Sequence, residues 1–266
     1  MAASATPVID YGARLRAGVL IPSGNSVAEP ELRAMQVAGT SLLVTRLALR
    51  GSSKPELMRM LDRLEAASEL LADAQVGCIV FHCTAVSTFA PDLAHGIRQR
   101  IEAASGIRCF TTADAILHAL AHLKAGKVAL LTPYIDDVHR REIEFLQANG
   151  IRVVGGANLG IDSNAEMATL QPEAILDWAS GHVGREADAC LLSCTAIRSA
   201  TAIAPLEARC GRPVLTSNQS MMWHLLRSSN IDDAVDGFGR LFSNRPDECA
   251  IIPPVPPTAD PVDQSV

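Results

Sequence analysis

Val80-Phe81-His82-Cys83-Thr84-Ala85-Val86-Ser87 and Leu191-Leu192-Ser193-Cys194-Thr195-Ala196-Ile197-Arg198 are two apolar runs that each end in Cys-Thr-Ala. A run of this kind reads as a buried strand, and the polar triplet followed by an amphipathic stretch reads as the turn from that strand into a helix. A thiol on such a turn stands at a helix amino terminus, where backbone N–H groups and the helix dipole favour the thiolate. The pair therefore predicts two activated cysteines rather than two structural ones.

The repetition extends outward from the cysteines. Pro22 closes Gly18-Val19-Leu20-Ile21 and Pro133 closes Val128-Ala129-Leu130-Leu131-Thr132, and the interval from Pro22 to Pro133 is the same as that from Cys83 to Cys194. Further on, Gly106-Ile107-Arg108-Cys109-Phe110-Thr111 is matched by Gly211-Arg212-Pro213-Val214-Leu215-Thr216. Three landmarks in one order predict a duplicated unit of about 110 residues, a common size for a small α/β domain. The expected fold class is α/β, with two similar parallel-sheet halves related by pseudo-twofold symmetry. In domain terms this gives an N-terminal extension over 1–17, a first half over 18–125, a second over 126–242 and a Pro-rich tail over 243–266. Facing halves would bring equivalent strand ends together, so that Cys83 and Cys194 line one cleft.

Within the halves, strands are expected near 16–21, 42–47, 76–82 and 107–111, then 127–132, 151–154, 188–193 and 213–216. Helical patterns fill the gaps at 55–74 (Leu57, Leu61, Leu64, Leu70 and Leu71 on one face), 91–104, 136–148, 172–182 and 203–210. Alternation of strand and helix means parallel sheets with both faces covered, and ligands in such sheets bind beyond the carboxyl ends of the strands. Both cysteines and both prolines fall there.

Composition narrows the function classes. The chain of 266 residues is 48% hydrophobic and 4% aromatic, enough for two aliphatic cores, and its formal net charge of −6 is spread without a basic stripe. Nucleic acid is not an expected partner. No apolar run approaches the roughly 20 residues of a membrane helix, so no membrane partner is expected either. Seven cysteines, an odd number lying mostly in or beside buried strands, argue for reduced thiols and a cytoplasmic location. Cys78, Cys109, Cys190, Cys210 and Cys249 read as small apolar residues. The Cys78/Cys83 and Cys190/Cys194 spacings are not Cys-x-x-Cys, and no dinucleotide, phosphate-loop or metalloprotease motif occurs, so neither a metal nor an organic cofactor is expected.

Two facing thiols can pass protons to and from opposite faces of a carbon, or one can add to an electron-poor carbon while the other manages the proton. The backbone N–H groups of Thr84, Ala85, Thr195 and Ala196 would cap a helix or hold an anion at each turn, since the two share one geometry there. His82 should point away from Cys83 by strand alternation and serve packing or hydrogen bonding. Asn25 reads equally as a helix cap and as a site residue. Tyr134, directly after a strand-ending proline, is expected to keep its hydroxyl in water. The charged stretch of Arg140, Arg141, Glu142 and Glu144 reads as solvated surface.

Together with the halves and paired cysteines, Pro22-Ser23-Gly24-Asn25-Ser26 resembles the aspartate/glutamate racemase superfamily, in its maleate cis-trans isomerase and arylmalonate decarboxylase branch. The resemblance runs from about Gly18 to Phe242. The isomerases carry Pro-Ser-Ser-Asn-Thr at the first loop, with Gly24 and Ser26 the departures here, and are also matched at Tyr134, Asn164 and both cysteines. Tyr134-Ile135-Asp136-Asp137-Val138 and Gly237-Phe238-Gly239-Arg240-Leu241-Phe242 resemble the decarboxylase, which has glycine where this chain has Cys83 and glycines in place of Thr195 and Ala196. The catalytic positions carry more weight than the scaffold. What the resemblance implies is a cofactor-independent isomerase of maleate or a related small dicarboxylate, with Cys83 adding to the double bond and Cys194 handling the proton. Asn25, Tyr134 and Asn164 would hold the carboxylates, and the protein would form a homodimer or larger homo-oligomer. The alternative is an arylmalonate-type decarboxylase or racemase with Cys194 as proton donor. A silent small-acid binding protein is a third reading, and retention of both cysteines speaks against it.

Overall fold

The computed structural model of the chain describes residues 9–51, 53–90 and 92–243; the tail from 244 onward, with Cys249, lies outside them. The first half runs β1 (Leu15–Pro22), α1 (Ala28–Ala34), β2 (Thr40–Leu47), α2 (Lys54–Arg59), α3 (Leu64–Asp73), β3 (Cys78–Phe81), α4 (Thr84–Ser87), α5 (Leu93–Ser105), β4 (Cys109–Thr111) and α6 (Thr112–His122). The second runs β5 (Lys127–Tyr134), α7 (Asp136–Ala148), β6 (Arg152–Ile161), α8 (Asn164–Met167), α9 (Pro172–Ser180), β7 (Ala189–Leu192), α10 (Ile203–Cys210), β8 (Val214–Thr216) and α11 (Ser217–Arg227), with a last turn, α12 (Arg240–Ser243).

The strand orders are β2-β1-β3-β4 and β6-β5-β7-β8, all parallel. The halves repeat at atomic detail. His82 N–H donates to Leu20 O at 2.8 Å and Ser193 N–H to Leu131 O at 2.8 Å, one bond at the same place in each half. Gly106 and Gly211 both end a helix in the left-handed region, at φ +68° and +69°, which glycine enters without a Cβ penalty. Thr111 and Thr216 then each start a helix with a reciprocal capping box, to Asp114 and Gln219. Duplicated sequence thus produces duplicated backbone.

α6 and α11, which follow the last strand of each half, pack against each other. One core lies around them: Val19, Ile21 and Val80 from the first sheet, Leu130, Leu191 and Leu215 from the second, with Ile116, Leu120, Met222 and Trp223. Each such aliphatic side chain, fully buried, contributes about 1.5–3 kcal/mol. The opposite faces of the sheets share a second cluster with Leu20, Ile79, Phe81 and Leu192, continuous through Cys83, Tyr134, Met167 and Cys194. The strand ends that carry the thiols therefore belong to both halves at once.

Several expectations change in detail. The helix expected over 55–74 is broken by a 3-10 turn at Met60–Arg63, and Leu70 is 63% exposed rather than part of the inner face. β6 is longer than expected because its glycines follow β5 past a bulge, with the register skipping from Val128↔Val153 to Ala129↔Gly155. At Gly156, φ is +128° and a Cβ would lie 1.9 Å from Leu130 O. Only glycine allows that close approach of β6 to β5.

Candidate active site

Cys83 and Cys194 stand just past β3 and β7 and are 3% and 2% exposed. The helix after Cys83 is a single turn, α4, and the Thr195-Ala196 turn after Cys194 leads only into a 3-10 turn at Ala200–Ala202 before α10. The expected helix-dipole activation is therefore reduced to individual N–H groups. Ala196 N–H donates to Cys194 Sγ at 3.2 Å. The N–H groups of Val86 and Ala85 favour a thiolate on Cys83. Burial outweighs them and pushes both thiols up to about 12, which corrects the expectation of resting thiolates: a charge in an apolar enclosure loses more hydration than two or three dipoles return. The thiols nonetheless sense each other, since charge on Cys194 raises Cys83.

Tyr134 ends β5 and is 4% exposed; its hydroxyl bonds to Cys194 rather than to water and lowers that thiol. Met167 Sδ lies 3.9 Å from Cys194 Sγ. Asn164 opens α8 and is 9% exposed. Its backbone N–H reaches Arg50 O at 3.2 Å, while its side-chain Nδ2 is buried without a partner. An orphaned buried donor costs about 1–3 kcal/mol, and a carboxylate would satisfy it. Asn25 is different: Nδ2 donates to Thr195 O and Oγ1, both at 3.0 Å, while Oδ1 accepts from Val27 N–H at 2.9 Å and Ala28 N–H at 3.0 Å. Asn25 is thus at once a cap on α1 and a tie across the halves, and a bound carboxylate would have to displace Thr195 from it. Thr84 Oγ1 makes a second tie, to Ser217 Oγ at 2.8 Å.

His82 behaves as alternation predicts. It faces away from Cys83, with Nδ1 3.0 Å from Thr112 Oγ1 and Nε2 2.8 Å from Asn218 Oδ1. Asn218 continues the chain across the halves: Nδ2 donates to Glu31 Oε2 at 2.6 Å, and Glu31 Oε1 accepts Ala200 N–H at 2.9 Å. Glu142 overturns the surface reading. It is 1% exposed, its Oε1 accepts from Ser193 Oγ, and its Oε2 is buried without a partner.

Among the described residues both sulfurs are buried. A cavity of about 440 Å³ has Ser23, Leu49, Arg50, Arg59 and Arg63 in its wall, and Ser23 and Arg50 belong to the loops next to Asn25 and Asn164.

A family model described as arylmalonate decarboxylase matches residues 17–242. The chain belongs to this family. Within it, the chain is 25% identical over 245 residues to a maleate isomerase of Geobacillus stearothermophilus, covering 86% of this chain and 98% of the relative. It is 34% identical over 142 residues to an arylmalonate decarboxylase of Bordetella bronchiseptica, covering 52% and 59%. Among solved structures, a Nocardia farcinica maleate cis-trans isomerase, a cysteine-to-serine mutant with a covalently bound succinylcysteine intermediate, superposes with a TM-score of 0.81 at 25% identity over 86% of this chain and 98% of that one. The two-half α/β fold is that of the family.

Glu31, Asn218, Glu142 and Met167 escape the sequence reading. The duplication holds one usable signal, because Glu31 and Glu142 are separated by the same interval as the two cysteines.

The buried titratable groups of this family member set its pH range. Burial pushes His82 down to about 4 and, together with the charge of His118, His224 down to about 3. Depressed histidines give stability that is present above their unfolded value of about 6.5 and lost as pH falls toward the folded one. Burial pushes Glu142 up to about 8, so its contribution is present below about 4.5 and lost as pH rises through about 8. The thermal midpoint should peak near pH 6.5 by this linkage and fall on both sides. Glu142→Gln should flatten the alkaline fall, and calorimetry across a pH series checks both statements.

Proposed function

We propose that the chain is a cofactor-independent cis-trans isomerase of maleate or a closely related small dicarboxylate, acting through Cys83 and Cys194. The observation that carries this reading is the placement of both thiols at matched strand ends in one closed, shared cluster, with Tyr134 on one sulfur and an unpartnered Asn164 amide on the same short helix as Met167. The covalent succinylcysteine of the Nocardia farcinica relative is in keeping with it.

Burial keeps both thiols neutral, so the chemistry is a net addition of S–H. The Cys83 sulfur bonds to one alkene carbon, and the neighbouring carbon takes the proton of Cys194. The proton of Cys83 passes to Cys194 in its place. A C–C single bond now joins the two carboxylate-bearing carbons, and rotation about it exchanges cis for trans. The reverse elimination restores both thiols, with no external acid, base or oxidant. Asn164 Nδ2 and the turn N–H groups of Thr84, Ala85, Thr195 and Ala196 are the donors for the carboxylates, and Asn25 joins them if it releases Thr195. Asn164→Ala should raise KM about tenfold or more with a smaller effect on kcat, as loss of one charge-assisted hydrogen bond implies; steady-state kinetics on maleate measures it.

A second reading, decarboxylation of an arylmalonate with Cys194 as proton donor, is favoured by the family model and by the 34% identity of the matched segment. Incubation with each acid separates the two. Fumarate formed from maleate supports the isomerase, and carbon dioxide released from an arylmalonate with no fumarate from maleate replaces it. We place the enzyme in the cytoplasm as a homodimer or larger homo-oligomer.

A further inference from the structure

Thr195 is buried on the turn after Cys194, and its carbonyl has two claimants. Asn25, on the loop after β1, donates from Nδ2 to Thr195 O and to Thr195 Oγ1, both at 3.0 Å. An amide nitrogen carries two hydrogens, so both are engaged and none is left for a carboxylate while these bonds stand. The other claimant is Asn218 on α11, which is fully buried and has its Nδ2 3.4 Å from the same oxygen. Its second hydrogen goes to Glu31 Oε2 at 2.6 Å. A carbonyl oxygen has two lone pairs and can accept from both amides at once.

The orientation of the Asn218 amide is fixed by what surrounds it. Its nitrogen lies against two acceptors, Thr195 O and Glu31 Oε2, so its oxygen faces His82, whose Nε2 is 2.8 Å away. That oxygen can only accept. The imidazole therefore carries its proton on Nε2, and Nδ1 accepts from Thr112 Oγ1 at 3.0 Å. Burial keeps the ring neutral by pushing it down to about 4. Glu31 is held in turn by Ala200 N–H at 2.9 Å and Ser199 Oγ at 3.5 Å. A strut of hydrogen bonds thus runs from the residue before Cys83 to the turn after Cys194, and its one long bond to that turn is the one to Thr195 O.

We propose that Asn218 is a positioning residue that takes over the Thr195 carbonyl when Asn25 releases it to a substrate carboxylate. In the free protein the Asn25 bonds are the short ones, and Asn218 stands in reserve. When Asn25 turns to the carboxylate, Asn218 closes on Thr195 O and no buried carbonyl is orphaned. The turn with the N–H groups of Thr195 and Ala196 then keeps its place beside Cys194. An orphaned carbonyl there would weaken every binding event, because a buried acceptor without a donor costs more than one never buried. His82 and Glu31 hold the amide in the one orientation that allows the exchange. The exchange rests on the isomerase reading, in which Asn25 binds substrate; the shared hold on Thr195 does not.

Two measurements on the full chain test it. Backbone amide exchange over residues 195–197 is followed by mass spectrometry without substrate. Asn25→Ala alone should leave it within about threefold of the original, since Asn218 still holds the turn, whereas Asn25→Ala combined with Asn218→Ala should speed it about tenfold or more. KM for maleate is then measured on the same variants. Asn218→Ala should raise KM about tenfold, the scale of one hydrogen bond missing from the bound state alone. In the Asn25→Ala background the same change should alter KM by less than about twofold, because Thr195 then has a single holder in the free and the bound state alike. A residue that merely supports the fold would raise KM by the same factor in both backgrounds, and that result overturns the inference. So does an exchange rise of about tenfold in Asn25→Ala alone, which needs no Asn218 variant to fold. If Asn218→Ala does not fold, Asn218→Asp takes its place: it keeps an oxygen for His82, can share a proton with Glu31 and lacks the donor for Thr195. Absent maleate turnover with the exchange pattern intact counts against the isomerase reading and leaves the shared hold on Thr195 standing.

Discussion

Cys83→Ala is expected to lower maleate turnover by at least about a thousandfold, the scale on which loss of a covalent nucleophile is felt, while the protein stays folded. The alkene carbon needs a sulfur that can bond to it, and neither Thr84 nor His82 can replace it: Thr84 Oγ1 is committed to Ser217 and His82 faces Thr112 and Asn218. Cys194→Ala should cost about 10²–10⁴-fold, the range of a positioned acid–base group. Both sites are small and buried, so a methyl fills most of the space and thermal unfolding should shift little. Steady-state rates beside a melting curve measure the two effects; a folded Cys83→Ala with more than a tenth of the original rate contradicts the mechanism. The pair also weighs the second reading, because a decarboxylase that uses Cys194 alone would tolerate loss of Cys83.

Gly156→Ala should be the most destabilising single methyl in the second half. Its Cβ would stand 1.9 Å from Leu130 O and 2.6 Å from Leu130 C, on a backbone at φ +128°. Backbone cannot swing aside as a side-chain end can, so β6 must separate from β5 or abandon its register. A cost of about 3 kcal/mol or more follows from strain and overpacking of this kind, and a chain of this size then melts about 6–12 °C lower. The damage should reach the site, since β6 leads into Asn164, and Asn158 on the same strand holds Tyr134 O at 3.0 Å and Asp136 Oδ1 at 2.7 Å. Calorimetry and KM should therefore change together. An unchanged melting temperature contradicts the close approach of the strands.

Most of the architecture is legible because it is written twice. The equal intervals between prolines and between cysteines locate equivalent strands, and the glycine and threonine that bracket β4 and β8 recur with the same left-handed caps and capping boxes. Strand cores read well because they are short aliphatic runs buried on both sides. β6 reads poorly, since Gly155, Gly156 and Gly160 suppress any apolar pattern while the close approach they permit is a property of its neighbour. Cys83, Cys194 and Tyr134 fall in one buried cluster, but the state of the thiols there is not legible. A turn motif announces N–H dipoles, whereas burial depends on everything packed around it, and here it dominates. Glu142 reads as surface because its helix is charged on most faces, although it lies on the stripe of Val138, Phe145 and Leu146 that the structure buries, where it meets Ser193 beside β7.

A single mass measurement tests the shared site most directly. The Cys194→Ser variant, incubated with maleate and quenched in acid, is predicted to gain the mass of one maleic acid, located by peptide mapping on Cys83. No gain, or a gain on a cysteine other than Cys83, contradicts the claim that these two sulfurs share one substrate and divide its chemistry between them.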